Sequence, residues 1–198
     1  MVKIFILAAF LSYVASISYA STPEEVIKKM VNAIKLKKYG KNLCPSDNKH
    51  NVKMTHIAAS CFDIDSMAKT ALAEHWNEID SETKKKLVSK IKDLVIILSY
   101  PATDPNVQKI QIIYCGNKIK NDKATVYSLL IVKDKELKID YQLHKKNKKW
   151  LTYDVLSEQR SLIADYKKQF NRVIEKYSVE KLLEILDKKI KKNNSCSQ

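Results

Sequence analysis

The stretch from Trp150 to Phe170 changes its apolar period partway along, and this limits the folds open to the chain more than any other feature. Tyr153 and Val155 lie two apart, which puts them on one side of a strand, with polar Thr152 and Asp154 on the other. Leu162, Ile163, Tyr166, Phe170, Val173, Ile174 and Tyr177 then recur at helical spacing. A half-buried strand therefore runs directly into an amphipathic helix.

Three more strands precede that segment. Gln108 to Cys115 carries Ile110, Ile112 and Tyr114 on one face, and Lys123 to Val132 is more uniformly apolar. Glu136 to His144 alternates, with Leu137, Ile139, Tyr141 and Leu143 against Lys138, Asp140 and Gln142. The links at Asn121-Asp122, 133–135 and 145–148 are short, so the strands are expected to pair as a four-stranded antiparallel meander.

Helices are expected at both ends of the chain. Thr22-Pro23-Glu24-Glu25 reads as a capping box with proline at the first helical position, followed by an apolar stripe from Val26 to Ile34. Residues 40–60 read as an irregular polar loop with one helical turn near His56 to Ala59. Asp63 and Asp65 precede a helix carrying Met67, Ala68, Ala71, Leu72, His75 and Trp76. A third helix starts at Asp80-Ser81-Glu82, buries Leu87, Val88, Ile91, Leu94, Val95 and Leu98, and ends before Pro101 and Pro105. Two helices, over 161–177 and 179–192, close the chain. The pattern is α+β, with helices from both chain ends packed on one face of the sheet in an NTF2-like shape.

Lys3 followed by the uncharged run 4–20, ending Ser18-Tyr19-Ala20, reads as a signal peptide cleaved before Ser21. Residues 21–198 then form a single exported domain. The net charge of +14 suits anionic lipid surfaces, headgroups or acidic partner proteins in that setting better than nucleic acid. The four cysteines, Cys44, Cys61, Cys115 and Cys196, allow three pairings in an oxidising compartment. Cys44 and Cys61 bracket the polar loop, and a bridge between them would constrain the unfolded chain. Cys44, His50, His56 and Cys61 could instead offer two thiolates and two imidazoles to zinc, but their spacings are looser than the tight pairs usual in such sites.

Catalytic patterns are not evident. Gly40 and Gly116 are the only glycines, so glycine-rich phosphate loops and dinucleotide fingerprints are excluded. His50, His56, His75 and His144 fall in no nucleophile or metal motif, and His75 shares a helical stripe with Trp76, as a core histidine would. Asp63 and Asp65 suit helix capping and the helix dipole better than acid–base work. No enzyme activity, metal or cofactor is expected. Periodicity does not distinguish a filled core from a lipid-sized cleft. A basic interaction module with a filled core, or an enzyme with an apolar cleft, therefore remains as an alternative.

Two blocks resemble one family. Phe62-Asp63-Ile64-Asp65-Ser66-Met67-Ala68-Lys69, with Leu72 and Trp76, is similar to the Phe-Asp-x-x-x-Met-Ala-Arg…Leu-Gly-x-x-Trp helix of the MlaC (toluene-tolerance) family of periplasmic phospholipid-binding proteins. Trp150, Tyr153-Asp154-Val155, Glu158, Ser161-Leu162 and Tyr166-Lys167-Lys168-Gln169-Phe170 resemble its Trp-x-x-Tyr-Asp-Val…Glu-Gly-Val-Ser-Leu…Tyr-Arg-x-Gln-Phe. The likeness spans roughly residues 57–192. Lys69 stands for the family's Arg, Ala73 for Gly, and Gln159-Arg160 for Gly-Val; the cysteines are not a family feature.

The resemblance implies a monomeric periplasmic carrier that shuttles phospholipid between outer and inner membranes and so maintains lipid asymmetry. Its implied partners are an inner-membrane MCE-domain transporter and an outer-membrane lipoprotein complex. Lipid is the cargo, not a cofactor. The residues expected to line an acyl-chain cleft are Met67, Leu72, Trp76, Leu94, Ile97, Val126, Leu130, Ile139, Tyr141, Leu143, Tyr153, Val155, Leu162, Tyr166, Phe170 and Ile174.

Overall fold

The computed structural model describes residues 21–38, 44–98, 110–132 and 135–195. The expected signal peptide, Cys196 and the segment holding Pro101 and Pro105 lie outside them. Five helices come first: α1 Pro23–Lys35, α2 Pro45–Ala59, α3 Ile64–Leu72, α4 His75–Glu78 and α5 Ser81–Leu98. The strands follow as β1 Gln111–Lys120, β2 Lys123–Val132, β3 Lys135–Lys146, β4 Lys149–Ser157 and the two-residue β5 Arg160–Ser161. Helices α6 Leu162–Lys176 and α7 Val179–Ser195 end the described chain.

The five strands form one antiparallel sheet in sequence order, one short strand more than the expected meander. α1, α3 and α6 pack on the sheet, and α5 and α7 pack behind α3 and α6. The apolar core joins the sheet to these helices, through Ile27, Met30 and Ile34 of α1, Met67 and Leu72 of α3, Phe170 of α6 and Leu182 of α7. No helix among the described residues is long and apolar enough to cross a membrane.

Local chemistry sets the element ends. At α1 the Glu25 amide donates to Thr22 Oγ1 at 3.3 Å and the Thr22 amide donates to Glu25 Oε2 at 2.7 Å, which completes the expected capping box. Asp80 Oδ1 accepts from the Glu82 and Thr83 amides at the start of α5. Ser161 Oγ accepts from the Ala164 amide at α6, and Ser178 Oγ from the Lys181 amide at α7. These oxygens satisfy amides that an α-helix leaves unpaired in its first turn.

Three expectations need correction. Residues 45–59 are a continuous helix, not a loop. Only Met54 and Ala58 of α2 are buried, so the segment shows little apolar periodicity, and Pro45 at the first turn was the available signal. A 15-residue helix spans ~22 Å, whereas bridged cysteines need Cα atoms within ~7 Å. Cys44 and Cys61 at its two ends are therefore not bridged to each other, and among the described residues they and Cys115 are free thiols; the same helix spreads the Cys44, His50, His56, Cys61 set too far for one zinc ion. The helix expected through Trp76 breaks at Ala73, whose φ of +51° ends α3 and turns the chain into α4.

The third correction concerns β4. The register pairs Gln142 with Asp154 but Leu143 with Thr152, so Tyr153 is the extra residue of a bulge. The bulge reverses the alternation. Thr152, not Tyr153, lies on the same face as Val155, and Thr152 is wholly buried. Tyr153 packs against the His144 ring at 5.1 Å between centroids.

Candidate functional site: the inner face of the sheet

Rows of opposed residues build the inner face. Val126 pairs with Tyr141, and Tyr141 with Val155. Ala124 pairs with Leu143, and Leu143 with Thr152. The next row holds Ser128 opposite Ile139, and Ser128 Oγ donates to the Ile139 carbonyl at 2.6 Å. That bond satisfies a buried hydroxyl in the middle of an apolar wall. Tyr141, Leu143 and Val126 have no exposed surface. The helices supply the facing wall, including a Tyr166–Phe170 ring pair with centroids 5.2 Å apart.

The residues expected to line a cleft distribute as follows. Met67, Leu72, Leu94, Val126, Leu130, Ile139, Tyr141, Leu143, Val155, Tyr166 and Phe170 are buried in one cluster. Trp76, Leu162 and Ile174 are partly buried against it. Tyr153 is the half-buried bulge residue on the other face, and the side chain of Ile97 lies outside the described residues. Trp150 and Thr152 also face inward and escaped the sequence reading, because the bulge that places them has no signature in the sequence.

A polar seam fixes both ends of β4. At one end the chain at Cys61–Asp63 runs along the strand. The Thr152 amide donates to the Cys61 carbonyl at 2.8 Å and the Asp63 amide to the Thr152 carbonyl at 2.9 Å. The Asp63 carboxylate caps α3 through the Ser66 amide and hydroxyl, and accepts from His144 Nε2 at 2.9 Å and from Lys146 Nζ at 2.9 and 3.1 Å. Burial pushes the Asp63 carboxyl up, but the Lys146, Ser66 and His144 hydrogen bonds outweigh it and hold the pKa at about 2. Asp63 is thus a structural acid with the capping role expected of it.

At the other end Asp154 accepts from the Val155 and Ile163 amides and from Ser161 Oγ, which ties the strand to the first turn of α6. The two-residue link between β4 and β5 places Glu158 at φ +48° and Gln159 at φ +65°. Glu158 also ties the link to β3. Its amide donates to the Lys138 carbonyl, and its carboxylate accepts from the Lys138 amide.

Charge surrounds the apolar parts. Lys189 Nζ donates to the Tyr166 hydroxyl at 2.9 Å and lies over its ring. Burial, then the nearby Glu24, pushes the Tyr114 hydroxyl up to about 12, so it stays neutral beneath Lys28. A groove of about 420 Å³ between α3, α4 and α5 is lined by Ile64, Trp76 and Val88 together with Asp65, Ser89, Lys84, Lys85 and Lys92.

Comparison with known proteins agrees with this geometry. The family described as MlaC protein matches residues 24–188. Among solved structures, the phospholipid-binding protein from Ralstonia solanacearum, in complex with a phospholipid, superposes with a TM-score of 0.65 at 20% identity, over 86% of this chain and 95% of that one. No curated protein sequence matches the chain.

Proposed function

The chain belongs to the MlaC protein family, and from that premise we propose that it is a periplasmic carrier that takes up a phospholipid by its acyl chains and moves it between the outer and inner membranes. The observation that carries the proposal is the closed apolar wall of Val126, Tyr141, Leu143 and Val155 under the helices, on a fold shared with a protein crystallised with a phospholipid.

The physical need is plain. Two acyl chains of about 16 carbons represent on the order of 25 kcal/mol of gross transfer cost at ~0.8 kcal/mol per CH₂, so lipid does not cross water unaided at a useful rate. A carrier must enclose the tails and leave the headgroup wet. Tyr141 and Leu143 are fully covered, so tails reach them only when the helices move off the sheet. Acyl chains can replace helix side chains there because apolar contact is non-directional. We further assign an MCE-domain transporter at the inner membrane and a lipoprotein complex at the outer membrane as docking partners, with the lysine-rich surface meeting acidic groups.

The test is transfer of a fluorescent phospholipid from donor to acceptor vesicles. The carrier reading expects a rate that rises in proportion to protein concentration. Transfer no faster than the protein-free background overturns it.

A further inference from the structure

The corner between α3 and α4 holds a cluster unrelated to the apolar wall. One ligand atom each from Glu74, His75 and Glu175 lies within 4.8 Å of the other two. Glu74 and His75 come from the corner made by Ala73, and Glu175 from the C-terminal half of α6. Glu78 Oε2 lies 3.0 Å from His75 Nδ1 and holds the ring. His75 Nε2 is buried and has no hydrogen-bond partner. A buried imidazole nitrogen left without a partner is costly, and a bound ion would supply that partner.

The surrounding charge points the same way. In a chain of net charge +14, neither Glu74 nor Glu175 has an ion-pair partner among the described residues.

We propose that Glu74, His75 and Glu175 form a site for a divalent transition-metal ion, with zinc the best match. One neutral imidazole and two carboxylates supply three ligands, and a water completes a tetrahedral shell. The imidazole disfavours magnesium and calcium, which take oxygen ligands. Bonds of ~2.0–2.2 Å put tetrahedral ligands ~3.3–3.6 Å apart, a closure that rotation of the two exposed glutamates supplies. Glu78 is a positioning residue, since it fixes the ring through Nδ1 and leaves Nε2 for the metal. The bound ion ties α4 to α6, one of the helices covering the sheet.

The experiment is calorimetric titration of zinc into the untagged, chelator-treated full chain, alongside thermal melting. The expected result is saturation at one zinc per chain and a raised Tm. His75→Ala abolishes both effects. Glu175→Gln, at an exposed position that folding does not depend on, also removes the Tm rise, and Glu78→Gln weakens binding by ~10-fold or more. A Cys44→Ser/Cys115→Ser double variant, which removes the two exposed thiols, binds as the parent does. The proposal is overturned if the parent shows no saturable uptake, if Glu175→Gln binds and melts like the parent, or if the double cysteine variant loses the zinc.

Discussion

The inner face of the sheet and the polar seam along β4 hold the same strand in place by opposite means. The face uses Val126, Tyr141, Leu143 and Val155, fixed by area and shape. The seam uses Asp63 and Asp154, each accepting several directed hydrogen bonds. Area contacts tolerate a change of partner if the new partner is apolar and of similar volume. Directed bonds to a buried carboxylate do not, because each lost partner leaves a polar group unsatisfied. The comparison teaches how a carrier can exchange part of its core for cargo and stay folded. In the proposed function the seam fixes where the wall stands, and the wall is the part that would accept lipid.

The sharpest way to break that contrast is Asp63→Ala. It removes the α3 cap and the acceptor shared by His144 and Lys146, and is expected to cost about 3 kcal/mol in denaturant unfolding. Lipid bound per folded molecule stays unchanged. The pH dependence follows from the same residue. Its folded pKa of about 2 lies below the ordinary aspartate value of 3.8, so its contribution, about 2 kcal/mol, is complete above pH ~4 and is lost as pH falls through ~2. Acid unfolding of Asp63→Ala therefore lacks that part of the pH slope. An unchanged slope would remove Asp63 from the account.

A smaller change tests the other end of the seam. Ser161→Ala loses both the α6 cap and the bond from Ser161 Oγ to Asp154, and is expected to lower stability by about 1 kcal/mol with lipid content retained. The smallest effect goes the other way. Ala73 has φ +51°, a conformation L side chains disfavour, so Ala73→Gly should stabilise the fold by about 0.5 kcal/mol after the extra entropy of an unfolded glycine is counted. A loss of stability in that variant would show that the corner at Ala73 is not strained.

The seam also shows what could be read from the chain. Asp63 as a cap, the helix starts at Thr22, Asp80 and Ser161, and the inward alternation of Ile139, Tyr141 and Leu143 all follow from local rules of capping and period. The meeting of Asp63 with His144 and Lys146 could not, because it joins residues more than 80 positions apart. The bulge at Tyr153 reversed the face of Thr152 and Trp150 for the same reason, since it is set by pairing with β3. Ala73 and Gln159 stand where the resembling pattern has glycine, and both adopt positive φ. The glycine there is explained by backbone geometry, and this chain keeps the geometry without the residue.

Native mass spectrometry of the purified protein, with lipid extraction of the same sample and of a Leu143→Trp variant, tests the central claim most directly. The account predicts one two-chain phospholipid per molecule of the parent. The variant, whose added bulk occupies the space the tails would take, is expected to lose about 1–3 kcal/mol of stability, to remain folded and to be depleted of lipid. A parent that is lipid-free and takes up none from liposomes, or a folded Leu143→Trp protein with full lipid content, contradicts it.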